Sequence, residues 1–218
     1  MIHTLMRLVI LLAAFIGGFS IMTIELLGGR ILSPYFGSSV YVWGSIITIF
    51  MLSLSFGYLA GGNLSTRNPN PRTFASFFII AAFLIFPIIY FADFIMEQVF
   101  QVIIDPRYGS LVASIGLFLI PTAVLGMISP YSIRLLVSNE EHSGHVAGQL
   151  YFVSTLGSAL GTLATSFYFV LWFEVNQILW GTVVILLLVG ISVLATFYLL
   201  NKAANSQQEG LQEGQYES

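Results

Sequence analysis

Six long apolar segments, separated by short polar ones, dominate the hydrophobic pattern of the chain. They cover about residues 6–27, 41–60, 74–91, 111–129, 146–170 and 178–200. Each is close to the roughly 20 apolar residues that a transmembrane helix needs. Arg7 ahead of the first segment could suggest a signal peptide, but the length of the apolar run favours a retained span. The pattern predicts an all-α polytopic membrane protein with six transmembrane helices within residues 1–200.

Two segments depart from this spanning pattern. Residues 93–107 place apolar side chains at helical spacing, interrupted by polar ones such as Asp93 and Glu97. This segment is too short and too polar to span, so we expect an interfacial amphipathic helix. Residues 201–218 are rich in Gln, Glu, Gly and Ser and have no apolar period, which predicts a disordered cytoplasmic tail.

The composition agrees with a membrane protein and excludes several other classes. Hydrophobic residues make up 57% and charged residues 8% of the chain, against about 25% charged in an ordinary soluble domain. The net charge of -3 gives no indication of nucleic-acid binding. Cysteine is absent, and the three histidines lie at chain ends or in a loop. We therefore predict a bilayer environment, no metal site and no cofactor.

Basic residues predict the orientation in the membrane. Six spans put both termini on one side, and the side shared with the termini has more arginine and lysine than the other. It carries Arg7, Arg67, Arg72, Arg134 and Lys202, whereas Arg30 and Arg107 lie opposite. Since cytoplasmic loops are enriched in Lys and Arg, we expect a multi-pass protein of the plasma (inner) membrane with both termini cytoplasmic.

Short matches indicate an internal repeat of three spans. The tripeptide Ser-Pro-Tyr occurs at 33–35 and at 129–131, an offset of 96 residues, and the glycines 57 and 61 recur at 157 and 161, an offset of 100. An odd number of spans per unit predicts an inverted 3+3 arrangement, as in many transporters. Each Gly-xxx-Gly pair predicts close helix packing, and a thin-walled pathway at the crossing is the alternative.

Glu25 is the candidate functional residue that the pattern makes most conspicuous. A charge within an apolar run is costly, so it suggests function by default. Arg30 follows five residues later, on a different flank of a regular helix, unless Gly28-Gly29 unwinds the chain between them. Two interpretations remain open: an interfacial pair with Arg30 reaching water, or a Glu25 that faces a polar cavity and attracts a cationic ligand.

Aromatic and polar residues near span ends are further candidates. Tyr35 and Trp43, with Tyr41, Tyr131, Tyr168 and Trp172, fit interfacial aromatic belts. Gln149, Tyr151, Ser154 and Thr155 form a polar group at the start of the fifth span, where hydroxyls either bond the preceding turn or contact a ligand. No constellation of a soluble enzyme is present, so we expect no catalysis by this chain alone.

Several of these motifs resemble the membrane region of membrane-bound spermidine-synthase-like proteins, also described as fused major-facilitator/spermidine synthases. The resemblance rests on Glu25–Ser38 and Gly57–Gly61, on Pro121-x4-Gly126-x3-Pro130, and on Gly148-Gln-Leu-Tyr151-x4-Leu156-Gly157-x3-Gly161, and it covers about Phe15 to Phe173. It implies a multi-span unit in which Glu25 and Arg30 are the acid and base of the first-span motif. It also implies a separate soluble aminopropyltransferase-like partner.

The chain departs from that pattern in two places. The 218 residues leave no room for the soluble synthase domain, so synthase activity is not expected here. Ser154-Thr155 stands where the pattern leads us to expect an asparagine.

Two hypotheses follow from these residues. The chain binds or moves a small cation such as a polyamine, using Glu25 and Arg30 with the ring faces of Tyr35, Trp43 and Tyr151 and with Gln149 as a polar contact. Alternatively it is a non-transporting anchor or scaffold for a soluble enzyme. An intramembrane enzyme is a weaker third option, and homo-oligomers are left open.

Overall fold

The computed structural model describes the backbone of residues 2–66, 69–137 and 143–216, and the side chains of residues 5–66, 69–137 and 143–202. Its helices are α1 (Ile2–Phe36), α2 (Val40–Ser65), α3 (Pro71–Val102), α4 (Pro106–Gly126), α5 (Ile128–Leu136), α6 (Ser143–Ala164), α7 (Val170–Trp172) and α8 (Val175–Tyr216). A π-helical turn, Thr165–Phe169, joins α6 to α7. Arg67, which we used in predicting orientation, lies outside the described residues.

Six helical segments of the described chain are long and apolar enough to cross a membrane, which confirms the predicted class. The first is longer than predicted, because α1 continues without interruption through Gly28 and Gly29 to Phe36. The suggestion that this glycine pair unwinds is therefore wrong. Both glycines are buried under aromatic rings, with Phe118 beside Gly28 and Trp43 beside Gly29.

The amphipathic segment after the third span is helical, but it is not a separate interfacial helix. Residues 93–102 form the last turns of α3, which runs unbroken from Pro71 past Pro87 to Val102. Met96 on this segment is fully buried, so one face of the extension packs on the bundle. At the other end of the chain, α8 continues through 201–216, where the sequence predicts disorder. That tail contains Ala, Gln, Glu and Lys, which are good helix formers.

The fourth span is two helices joined at Met127. Pro130 has no backbone N–H to donate to the carbonyl of Gly126, and its ring crowds that carbonyl. The helix therefore breaks after Gly126 and resumes at Ile128, so that Pro130 falls in the first turn of α5. The predicted end of this span near residue 129 is too early, since α5 extends to Leu136.

Glycines on α2 and α6 set two equivalent helix crossings. A methyl group on Gly57 of α2 would collide with the carbonyl oxygen of Ala123 on α4, and one on Gly157 of α6 would collide with that of Phe15 on α1. One turn further, Gly61 meets Met127 and Gly161 meets Phe19. Residue numbers rise together along both partners, so α2 runs parallel to α4, and α6 parallel to α1. The prediction that these glycines serve close packing is confirmed.

The packing pattern is that of an inverted repeat. We call α1–α3 the first half and α4–α8 the second half. α1 packs on α6 as α4 packs on α2, and α1 packs on α8 as α4 packs on α3. Since α1 and α2 are antiparallel neighbours and α2 is parallel to α4, the two halves point in opposite directions. The start of α1 and the end of α8 lie on one side, which we call the terminal side.

The structural register of this repeat differs from that of the Ser-Pro-Tyr match. Gly18 lies against Ser154, and Gly126 lies against Leu54, so these two glycines are equivalent, at an offset of 108 residues. Ser33 and Ser129 are 96 residues apart, and they occupy different positions along their spans. Ser33 precedes the end of α1 by one turn, whereas Ser129 lies at the kink of the fourth span. The tripeptide match is therefore not the alignment of the halves.

Aromatic side chains fill the core between α3 and α5. Tyr131 is 1% exposed, stacks on Phe74 and meets the ring of Phe77 edge-on, at a centroid distance of 5.1 Å. The Tyr131 hydroxyl accepts a hydrogen bond from the backbone N–H of Asn70, at 2.9 Å. The assignment of Tyr131 to an interfacial belt is therefore wrong, because this ring is a central part of the core.

Candidate functional site

A cavity of about 290 Å³ opens between α2 and α6, within the membrane-spanning part of the bundle. We call it the hydroxyl cavity because most of its polar lining is hydroxyl groups. Its floor is formed by α1 and by the kink between α4 and α5. The lining includes Gly18, Ile21, Met22, Tyr58, Ser129, Pro130, Tyr151, Ser154, Thr155 and Ser158.

Several hydroxyls of the hydroxyl cavity are available to a ligand. Ser158 donates to the backbone oxygen of Ser154 at 3.2 Å, as expected for serine inside a helix. Tyr58, Tyr151 and Ser129 form no hydrogen bond with any other described residue. Polar groups at membrane depth are costly to leave unpaired, so these hydroxyls require water or a polar ligand.

Glu25 lies one helical turn beyond this cavity on the same face of α1. Ile21 and Met22 line the cavity, and Glu25 follows them by four and three residues, the spacing of neighbours on a helix face. Helical side chains lean toward the helix N-terminus, which favours approach of the Glu25 carboxylate to the cavity. Glu25 is half-buried and forms no hydrogen bond or ion pair with another described residue.

The depth of Glu25 differs from the sequence prediction. We expected it near the end of the first span, at about residue 27. The span instead runs from Leu5 to Phe36, so Glu25 lies about 7 Å from its midpoint at 1.5 Å of rise per residue. A carboxylate at this depth carries more of the membrane-insertion cost than one at the interface, roughly 2.5–3.5 kcal/mol for a central charge.

Arg30 lies on the other flank of α1 and does not meet Glu25. It lines a separate hollow of about 270 Å³, where α1 faces α3 and the start of α8. Asp93, Glu174 and Asn176 share this Arg30 hollow with it. The unbroken helix keeps residues five apart on different flanks, so the interpretation of Glu25 and Arg30 as an interfacial pair is wrong.

The two aromatic candidates of the first half are also separated. The Tyr35 hydroxyl donates to the backbone oxygen of Asp93 at 3.4 Å, and its ring packs edge-on to Phe100. Tyr35 therefore belongs to the α1–α3 contact. Trp43 of α2 covers Gly29 of α1 and is 37% exposed, so it lies about one turn from Glu25, on the side away from the hydroxyl cavity.

The polar group at the start of the fifth span divides between two places. Gln149 accepts a hydrogen bond from Arg7 and contacts the His145 ring at 2.9 Å, forming a polar link between α1 and α6 at the terminal side. Tyr151, two residues later, lines the hydroxyl cavity and is 56% exposed. Of the predicted ligand residues, Glu25 and Tyr151 therefore adjoin this cavity, and Gln149 lies nearer the terminal side.

Tyr58 is a cavity residue that sequence reasoning missed, as it missed Ser129 and Ser158. Tyr58 lies one residue after Gly57, within an apolar run, and nothing in the neighbouring sequence distinguishes it from a tyrosine without a role in a site. The available signal was the repeat itself: Tyr58 follows Gly57 at one crossing, and the polar Ser158 follows Gly157 at the other. Both of these positions line the hydroxyl cavity.

No cluster of three metal-ligating side chains occurs among the described residues. No protein-family model, curated protein or solved structure matches the chain. The resemblance to spermidine-synthase-like membrane proteins therefore stays a prediction, and the functional argument depends on the geometry of the site.

Proposed function

We propose that the chain is a membrane protein that binds a small organic cation in the hydroxyl cavity. It moves this cation across the membrane through a cycle in which the cavity opens. The observation that supports this proposal is an unpaired Glu25 carboxylate one turn from a cavity lined by free hydroxyls. An ammonium group needs a counter-charge and several hydrogen-bond acceptors to leave water. Glu25 supplies the charge, and Tyr58, Tyr151 and Ser129 supply acceptor oxygens.

A polyamine is the ligand that the family resemblance implies, and its chemistry suits this site. One ammonium group would pair with Glu25 while the alkyl stem lies along apolar wall residues such as Leu54 and Met22. The tyrosine rings offer faces for a second cationic group. In this proposal Arg30 does not touch the ligand, because it lies on the other flank of α1.

The inverted repeat suggests how such a site would be reached. The hydroxyl cavity lies between α2 and α6, which are equivalent helices of the two halves, over a floor of α1 and α4/α5. Transporters built from inverted repeats commonly place the substrate between the repeats and open alternately to each side. We propose the plasma membrane as the location, both termini in the cytoplasm, and a soluble aminopropyltransferase-like protein as a partner.

Spermidine binding to purified protein in proteoliposomes tests the proposal. We expect Glu25→Gln to weaken binding about 10- to 100-fold, the effect of losing one charged hydrogen-bonded contact. Glu97→Gln is the matched control, since Glu97 is an exposed carboxylate at the far end of α3, and it should bind as wild type. Equal binding by the Glu25 variant and wild type would refute the site.

Measuring spermidine uptake as well as binding distinguishes a binding site from a transport pathway. Wild-type protein that binds spermidine but moves none would favour the scaffold hypothesis over the transporter. Co-purification of a soluble enzyme with the full chain, and its loss on removing residues 203–218, would support that alternative directly.

A further inference from the structure

The contact between α1 and α8 holds a second kind of cavity, unrelated to the hydroxyl cavity. A hollow of about 230 Å³ is lined by Phe19, Ser20 and Thr23 of α1 and by Gln177, Gly181 and Ile185 of α8, among others. A hollow of about 470 Å³ adjoins it toward the terminal side and shares Phe19 and Ile185 with it. We call the two together the seam groove. Its walls are almost entirely apolar.

The end of the seam groove that is farther from the terminal side leads toward Arg30. Arg30 follows Thr23 by seven residues and Phe19 by eleven, close to two and three full helical turns, so all three lie on one face of α1. At 1.5 Å per residue, Arg30 lies about 10 Å above Thr23. The Arg30 hollow also contains Asp93, Glu174 and Asn176, so one cation and two carboxylates meet there. None of these three charged groups is within ion-pair distance of another.

The equivalent seam of the repeat, between α5 and α3, is filled. The 108-residue offset makes Tyr131 the counterpart of Thr23, and aligning the first residues of α3 and α8 makes Phe77 the counterpart of Gly181. The same alignment pairs Phe74 with Ile178 and Phe78 with Thr182. All four aromatic residues of the α5–α3 seam are buried. The smaller side chains at Thr23 and Gly181 leave the α1–α8 seam open where aromatic rings fill the α5–α3 seam, so this groove has room for a ligand.

Two local features also indicate a ligand. Ser20 is 2% exposed, lines the groove and has no hydrogen-bond partner among the described residues. The π-helical turn Thr165–Phe169 borders the groove through Phe169. Such turns are rare and often occur at functional sites.

We propose that the seam groove and the Arg30 hollow together bind one zwitterionic glycerophospholipid. An acyl chain lies along the groove between α1 and α8, in contact with Phe19 and Ile185. The head-group phosphate pairs with Arg30, and the ammonium lies between Asp93 and Glu174. A purely anionic head group would meet the same two carboxylates and be repelled. This site is separate from the hydroxyl cavity and does not depend on the proposed cation binding.

Native mass spectrometry of protein purified from mixed bilayers tests the lipid site. With equal phosphatidylethanolamine and phosphatidylglycerol, we expect wild-type protein to retain one phosphatidylethanolamine. Gly181→Phe should abolish that adduct, since a side chain at 181 has open space and copies the aromatic filling of the α5–α3 seam. Gly44→Phe is the matched control, because Gly44 is equally open but lies on α2 away from the groove. That variant should retain the lipid.

A second variant tests the head-group contact without placing a side chain in the seam groove. Arg30→Gln should reduce retention about tenfold, the effect of one lost charge-assisted contact, and should leave acyl-chain access unchanged. Retention of phosphatidylglycerol in preference to phosphatidylethanolamine would overturn the proposal. So would wild-type retention by both Gly181→Phe and Arg30→Gln. If Gly181→Phe does not fold, the Arg30 result and the lipid preference decide.

Discussion

Gly157→Ala tests the helix crossing on which the inverted arrangement depends. The added methyl group would collide with the carbonyl oxygen of Phe15 on α1. Non-bonded carbon–oxygen contacts lie near 3.3–3.6 Å, so α1 and α6 must separate by about 1 Å. That movement also loosens the contact of Gly161 with Phe19, one turn away. We expect a loss of about 1–3 kcal/mol in the free energy of unfolding, the usual cost of overpacking.

The measurement is equilibrium unfolding in mixed micelles, with Gly148→Ala as the control. Gly148 lies on the same helix, and a methyl group there meets nothing within 4 Å. Alanine is the better helix former by up to about 1 kcal/mol, so the control should be neutral or more stable. If Gly157→Ala is no less stable than Gly148→Ala, the close crossing of α1 and α6 is refuted.

Two further predictions follow from the fold. Tyr131→Phe keeps the ring but removes the acceptor for the Asn70 N–H. In the same unfolding assay it should lower the free energy of unfolding by about 1 kcal/mol. An unchanged free energy of unfolding would mean that this hydrogen bond contributes nothing to stability. The chain has no cysteine, so variants with a single introduced cysteine report orientation. Ser38→Cys should react with an impermeant thiol reagent from outside the cell, and Thr66→Cys should react only from the cytoplasm. The reverse pattern would mean that the proposed topology is inverted.

The hydropathy pattern was sufficient to predict the spans but not their ends. Gly28 and Gly29 suggested a break in the first span because glycine weakens helices in water. In the bundle, Phe118 and Trp43 pack on these glycines, and a membrane offers the backbone no water with which to bond. Packing therefore carries α1 on to Phe36, and this shift changes the depth assigned to Glu25.

The candidate site was only partly predictable, for a similar reason. Glu25 is conspicuous in any apolar run, and the polar cluster at Tyr151 is visible in the sequence. Their proximity depends on how α6 crosses α1, which is set by the close contacts of Gly18 and Gly157. Tyr58 joins them through the matching crossing of α2 on α4. The separation of Arg30 from Glu25 follows from one continuous helix, which the glycine pair concealed.

The crossing of α1 on α6 also has a consequence for biosynthesis. The face of α1 that carries Phe15, Gly18 and Phe19 packs against residues about 140 positions later in the chain. At roughly 5–20 residues per second, that partner emerges from the ribosome about 7–28 seconds after α1. In contrast, α2 and α4 are separated by about 66 residues and meet much sooner. During the interval α1 is inserted without its main partner, and it carries Glu25 in the bilayer meanwhile. The α1–α6 crossing can therefore form only after α6 has been synthesised, well after the α2–α4 crossing.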